Sequence, residues 1–254
     1  MLVEEQRQRR KRSDVGAVRQ TARDAQLLEF MTHQYGLPLD LVAQATGVST
    51  PRSYALGSRW KKAGWVETGK VDPGPTWVWP RRAMASQYLG WDAPYWRPLA
   101  TTTAHTRAVA AVRLHRVGLD ASRWISERSL RHQQGYRERG VSEPHTPDGI
   151  EVLPDGQRAL IEVELTAKSP GRYLVPNART FQRTEGLLQT ISVRADQLGC
   201  NTIAYWCAPS ALSVVKAQVE EYQQRRRVES NGRPDDKTWV VRGLEEVPGW
   251  TVPR

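Results

Sequence analysis

One stretch limits what this chain can fold into more than any other. It runs Pro147-Asp148-Gly149-Ile150-Glu151-Val152-Leu153, then Pro154-Asp155-Gly156, then Gln157-Arg158-Ala159-Leu160-Ile161-Glu162-Val163-Glu164. Two apolar, β-branched runs flank a three-residue connection that ends in glycine, where a left-handed backbone is easiest for a residue without Cβ, so the stretch specifies a hairpin. With Leu153 facing Gln157 across the turn, the register places Asp148 directly opposite Glu162, and Glu164 shares their face. Asp155 lies in the loop itself and is a turn residue. Like charges opposed across a sheet destabilise it unless a cation or a proton lies between them, so the hairpin requires something positive beside its carboxylates.

The formal net charge is +10 and the pI is near 9.9, which favours a polyanionic partner, nucleic acid before anionic membrane. No run of about 18 apolar residues is present, and the basic N-terminus lacks the apolar segment of a secretory signal. The expectation is a cytoplasmic protein with no membrane partner. Cys200 and Cys207 form neither a disulfide framework nor a CxxC pair, and both read as structural.

The first 18 residues, with Arg7, Arg9, Arg10, Lys11 and Arg12, have little to bury and read as a disordered basic arm, either solvated or on phosphate. Apolar spacing then predicts a helix from about Arg19 to Tyr35 and a second from Leu39 to Gly47. Ser49-Thr50-Pro51 starts a third, running to about Ala63. Two strands, Trp65 to Thr68 and Thr76 to Trp79, follow around a Gly69-to-Pro75 loop. In the third helix Tyr54 and Trp60 are expected to anchor the packing, leaving Arg52, Ser53, Ser58, Arg59, Lys61 and Lys62 exposed. Three short helices and a hairpin, with a basic third helix, resemble the winged helix-turn-helix fold. That resemblance implies double-stranded DNA as partner, those six residues entering the major groove and Lys70 of the wing near the backbone. A protein-contact role with a merely solvated basic face is the competing reading.

Pro80 to Pro98 reads as a connector with packed aromatics. Beyond it come a helix from about Thr103 to Arg116 with Arg107, Arg113 and Arg116 on its wet side, then Trp124 to Arg128 as a strand or helix entry, and the acidic hairpin. A helix over Asn177 to Leu198 through Phe181, a buried strand Thr202 to Cys207, a helix ending in Arg225-Arg226-Arg227, and a strand from Lys237 to Val241 complete the order. The three arginines suit either DNA phosphate or the helix C-terminus. This divides the chain into an arm (1–18), a winged helix-turn-helix (19–80), an aromatic connector (81–102) and a second domain (103–254).

The second domain, through Pro147-Asp148, Glu162-Val163-Glu164 and Lys168, resembles the PD-(D/E)XK nuclease-like fold. The whole is then an α/β protein, α+β in overall arrangement. The resemblance implies that Asp148 and Glu162 bind Mg²⁺ or Mn²⁺ and that a lysine serves the attacking water. A hard cation of that kind takes carboxylate and water oxygens, neutralises phosphate and lowers the pKa of bound water. Where the family most often has lysine, two residues after the glutamate, this chain has Glu164. Lys168 would lie about 20 Å from Glu162 along a continued strand, so it serves only by curling back. Glu127 is a further candidate acid, against a surface ion pair with Arg128 or Arg131. His145 is a weaker candidate ligand, against a packing role.

The strings Ala104-His105-Thr106-Arg107-Ala108-Val109, Trp124-Ile125-Ser126-Glu127-Arg128 and His145-Thr146-Pro147-Asp148, together with the acidic strand, resemble the replication-relaxation family of actinobacterial plasmids and integrative elements. MobC-type conjugative relaxases have a similar domain pairing. The implied function is recognition of a mobile-element origin and metal-dependent nicking or relaxation of DNA, with other replication or transfer proteins as partners. The alternative is a non-catalytic replication or transcription regulator with a degenerate nuclease-like domain.

Overall fold

The computed structural model describes residues 19–72, 74–135, 144–169, 173–174, 186–230 and 236–250. The expected basic arm lies outside them, as does the front of the helix expected from Asn177, with Phe181. The chain is a mixed α/β structure with two sheets. Among the described residues no helix is long and apolar enough to cross a membrane.

The first part runs α1 (Ala22–His33), β1 (Leu37–Pro38), α2 (Leu39–Thr46), α3 (Thr50–Lys62), β2 (Val66–Lys70) and β3 (Thr76–Pro80). Its strands form an antiparallel sheet in the order β1-β3-β2. Thr21 and Asp24 close a reciprocal cap at the start of α1. Asp24, fully buried, also takes Arg59 and, at 2.8 Å, the indole N–H of Trp60, which ties α3 to α1. Burial pushes the Asp24 carboxyl up, but these donors outweigh it and hold it below the usual carboxylate range. Gly47 ends α2 in the left-handed conformation, and Pro51 opens α3 where its missing N–H costs nothing.

The chain from Pro80 to Pro98 is not only a connector. Arg82–Leu89 forms α4, closed by Gly90, and only then does the backbone extend towards α5 (Ala100–Val117). The wet side expected for α5 is also corrected. Arg113 is fully buried with its guanidinium 4.2 Å over the Phe30 ring, Arg116 binds Glu151 at 2.8 Å, and Arg107 chelates Asp40.

The second sheet takes β4 (Trp124–Ser126), β5 (Gly149–Val152), β6 (Arg158–Glu164), β7 (Thr202–Cys207) and β8 (Thr238–Gly243) in sequential order. Its first three strands are antiparallel neighbours, and β6, β7 and β8 run parallel. Among the described residues it is accompanied by α6 (Glu127–Gln133), α7 (Leu187–Gln197) and α8 (Pro209–Glu229). Central β6 is covered on both faces. Ala159, Ile161 and Val163 join an apolar cluster that continues through α5 into α1, α2 and α3, while Leu160 joins a second with Ile150, Tyr205, Ile191 and Val215. Arg225 and Arg226 at the end of α8 pair with Glu221 and Glu229.

Candidate active site

The hairpin adopts the register its turn dictates. Leu153 N–H donates to the Gln157 carbonyl at 2.8 Å, Gly156 takes φ 83°, and Gly149 pairs with Ile161, so the next pair outward is Asp148 with Glu162. Gly149 has a steric role as well, because a Cβ there would overlap the Trp124 ring that lies against it. Asp148 itself ends the ladder. Its backbone N–H reaches the Ile161 carbonyl at 3.1 Å, and its Oδ2 accepts from Val163 N–H at 2.7 Å.

Three side chains of the chain itself gather at this acidic end of the hairpin. His145 Nε2 lies 2.5 Å from Glu162 Oε1, and His105 Nε2, reaching over from α5, lies 3.4 Å from Asp148 Oδ2 and 3.2 Å from the Val163 carbonyl. Lys168 contributes the third. Strand β6 stops at Glu164, the chain bends at Leu165 and Thr166, and the Lys168 ammonium returns to pair with Glu164. The lysine therefore curls back over the four residues that a continued strand would have placed out of reach.

The electrostatics mark this cluster as unusual. Burial and the neighbouring Asp148 carboxylate push Glu162 up, against the opposing pull of His145 and Lys168. Burial lowers the His105 imidazole, but the Asp148 carboxylate and the Val163 carbonyl win and raise it to about 9. Tyr205, opposite Glu162 on the neighbouring strand, is pushed up by burial and by the same acids. Its buried hydroxyl has no hydrogen-bond partner among the described residues. Strongly perturbed groups around a partly exposed carboxylate pair are the electrostatic pattern of functional sites.

Among the described residues, no three side chains of the His, Cys, Asp and Glu types converge on a common point. Magnesium does not require three. It is commonly held by one or two carboxylates and keeps several waters, and Asp148 and Glu162, adjacent across the end of the hairpin, supply hard oxygen chemistry of that kind. The donor set fits Mg²⁺ or Mn²⁺.

The remaining candidates separate. Glu127, the first residue of α6, forms an ion pair with Arg131 at 2.7 Å, yet it also borders, together with His105, a cavity of about 680 Å³. On α3, Arg52, Ser58, Lys61 and Lys62 are exposed as expected, and Lys70 on β2 is exposed and paired with Asp72. Ser53 is a correction. It is fully buried, its hydroxyl donating to the Thr50 carbonyl, because Ser53, Leu56, Gly57 and Trp60 form the packed stripe of α3. Arg59 is half-buried on Asp24, and Tyr54, expected as an anchor, is 40% exposed instead. His105 was not among the sequence candidates. Its signal was a lone histidine facing the sheet from an otherwise apolar helix side, and its acidic partner is contributed by a distant strand end.

Comparison with known proteins gives no match: no family model, no curated protein and no solved structure matches the chain.

Proposed function

We propose that this chain binds double-stranded DNA of a mobile element, recognises an origin there, and nicks one strand at the Asp148–Glu162 pair with Mg²⁺ or Mn²⁺. The observation that carries the reading is the return of Lys168 to Glu164 at the acidic end of β6, which supports a role for this lysine beside the carboxylates. The order of α1 to β3, with its three-stranded antiparallel sheet and exposed basic positions on α3, supports a winged-helix mode of DNA contact. The mixed sheet β4 to β8 supports a nuclease-like second domain.

Asp148 and Glu162 would hold the metal, which supplies charge neutralisation at phosphate and a more acidic bound water. Within the chain, Val163 N–H and His105 fix the Asp148 carboxylate, and His145 fixes that of Glu162. Lys168, held by Glu164, presents an ammonium for the attacking water or the phosphate. The test is conversion of supercoiled origin-bearing plasmid to open circles with Mn²⁺. Asp148→Asn and Lys168→Ala are each expected to slow it by about a hundredfold or more. Nicking that survives both substitutions would sink the assignment.

One observation favours a second reading. His145, His105 and Lys168 already engage Glu162, Asp148 and Glu164, which gives each acid a partner within the chain and suits a non-catalytic regulator. That reading expects wild-type protein to bind cognate DNA without cutting it.

A further inference from the structure

The cavity of about 680 Å³ takes its walls from both halves of the molecule. Tyr35 follows α1, Tyr95, Trp96 and Arg97 belong to the extended segment before α5, and His105 and Glu127 close the far side. His105 is shared, lining the cavity while lying 3.4 Å from Asp148 Oδ2, and so links the cavity to that carboxylate.

Its walls suit one kind of guest. Tyr95 is 56% exposed and held by a 2.9 Å hydrogen bond from its hydroxyl to Glu67. Trp96 packs against Tyr35 with ring centroids 5.6 Å apart, and the second ring of this pair is itself under constraint. Among the described residues Tyr35 is the one non-glycine with positive φ, at 68°, a conformation that concentrates at binding sites, and the Arg128 guanidinium lies 5.0 Å from its ring centroid. Arg97 is exposed and makes no ion pair among the described residues. Aromatic faces take bases, a free guanidinium takes phosphate, and the net charge of +10 attracts the polyanion that carries both.

We propose that the cavity bounded by Tyr35, Tyr95, Trp96, Arg97, His105 and Glu127 receives an unpaired nucleobase of the DNA strand presented to Asp148 and Glu162. The inference rests on the reading of this chain as a DNA-nicking protein. It adds that the strand is locally unpaired at the site, with one base stacked on Tyr95 and Trp96 and its phosphate on Arg97.

The test uses the full chain and a fluorescent oligothymidylate of about a dozen nucleotides, titrated by anisotropy without metal, beside an abasic strand of equal length. Tyr95→Ala and Arg97→Ala, both at exposed positions, are expected to weaken oligothymidylate binding about tenfold each. Tyr95→Ala should leave the weaker abasic binding unchanged, whereas Arg97→Ala should weaken both strands. Equal wild-type affinity for the two strands, or unaltered affinity in Tyr95→Ala, would overturn the base pocket. The two proposals fail separately. Tyr95-dependent binding without any Mn²⁺ nicking removes the chemistry and keeps the pocket, and nicking with Tyr95-independent binding does the reverse.

Discussion

His33 shows how burial sets the behaviour of one titratable group. It lies at the end of α1 with Nδ1 3.3 Å from the hydroxyls of both Ser126 and Ser129, and Arg113 and Arg128 stand nearby. Burial first, and then the two guanidinium charges, lower its pKa from 6.5 to about 4. Arg113 cannot relax the conflict, since it is fully buried with no hydrogen bond from its guanidinium among the described residues. The folded state therefore holds His33 neutral while the unfolded chain takes up a proton below pH 6.5. Its contribution is complete above that value and is lost as pH falls towards 4. Between pH 7 and pH 5 the wild type should lose about 1–2 kcal/mol more stability than His33→Gln, read from urea midpoints at each pH. Parallel losses in the two proteins would remove His33 from the account.

At the level of elements, α3 separates what is structural from what is free to bind. Ser53, Leu56, Gly57 and Trp60 recur at helical spacing and are packed, with a Leu39 methyl 3.1 Å from where a Gly57 Cβ would stand, closer than ordinary contact. Arg52 and Lys62 lie on the exposed side, whereas Arg59 is committed to Asp24. Arg52→Ala combined with Lys62→Ala should weaken double-stranded DNA binding and lower the log–log salt slope by about 2. An unaltered slope would move the contact elsewhere, while Arg59→Ala would test folding more than binding. The same element explains what the sequence disclosed. Of the stripe, Trp60 alone was read as packed, because a serine's polarity argued for the surface and a tyrosine's bulk for the core, whereas the Ser53 hydroxyl is satisfied by the Thr50 carbonyl. The β5–β6 register was legible because a short turn with a glycine leaves little choice of pairing. Helix α4 was hidden among prolines, glycine and aromatics that usually mark irregular chain. His105 was hidden because its role depends on packing α5 against the end of β6.

Across the whole molecule, the cavity draws its walls from both halves, so it depends on the two sheets being held together. Arg107 does much of that holding. From α5 it binds both oxygens of Asp40 on α2, at 2.8 and 2.6 Å, and the Gly249 carbonyl at 2.9 Å, with its side chain only 13% exposed. Arg128 adds bonds to the Thr32 and Pro94 carbonyls, and Gln44 adds one to the Pro248 carbonyl. Beneath these contacts one apolar cluster runs from Leu27 and Trp60 to Val163 and Trp206. A shared core predicts one cooperative transition, with tryptophan fluorescence and far-UV circular dichroism melting together. Arg107→Ala should lower that transition by a few degrees, because losing a half-buried bidentate pair costs about 1–2 kcal/mol and each kcal/mol moves Tm by about 2–4 °C at this size. Arg107→Lys should recover only part, since an ammonium cannot match both carboxylate oxygens at once. Asp40→Ala added to Arg107→Ala should cost little more, because the partner is already gone. Two separated transitions in the wild type, or an unchanged Tm in Arg107→Ala, would mean that the halves are stable apart and that the cavity between them is not fixed by this clamp.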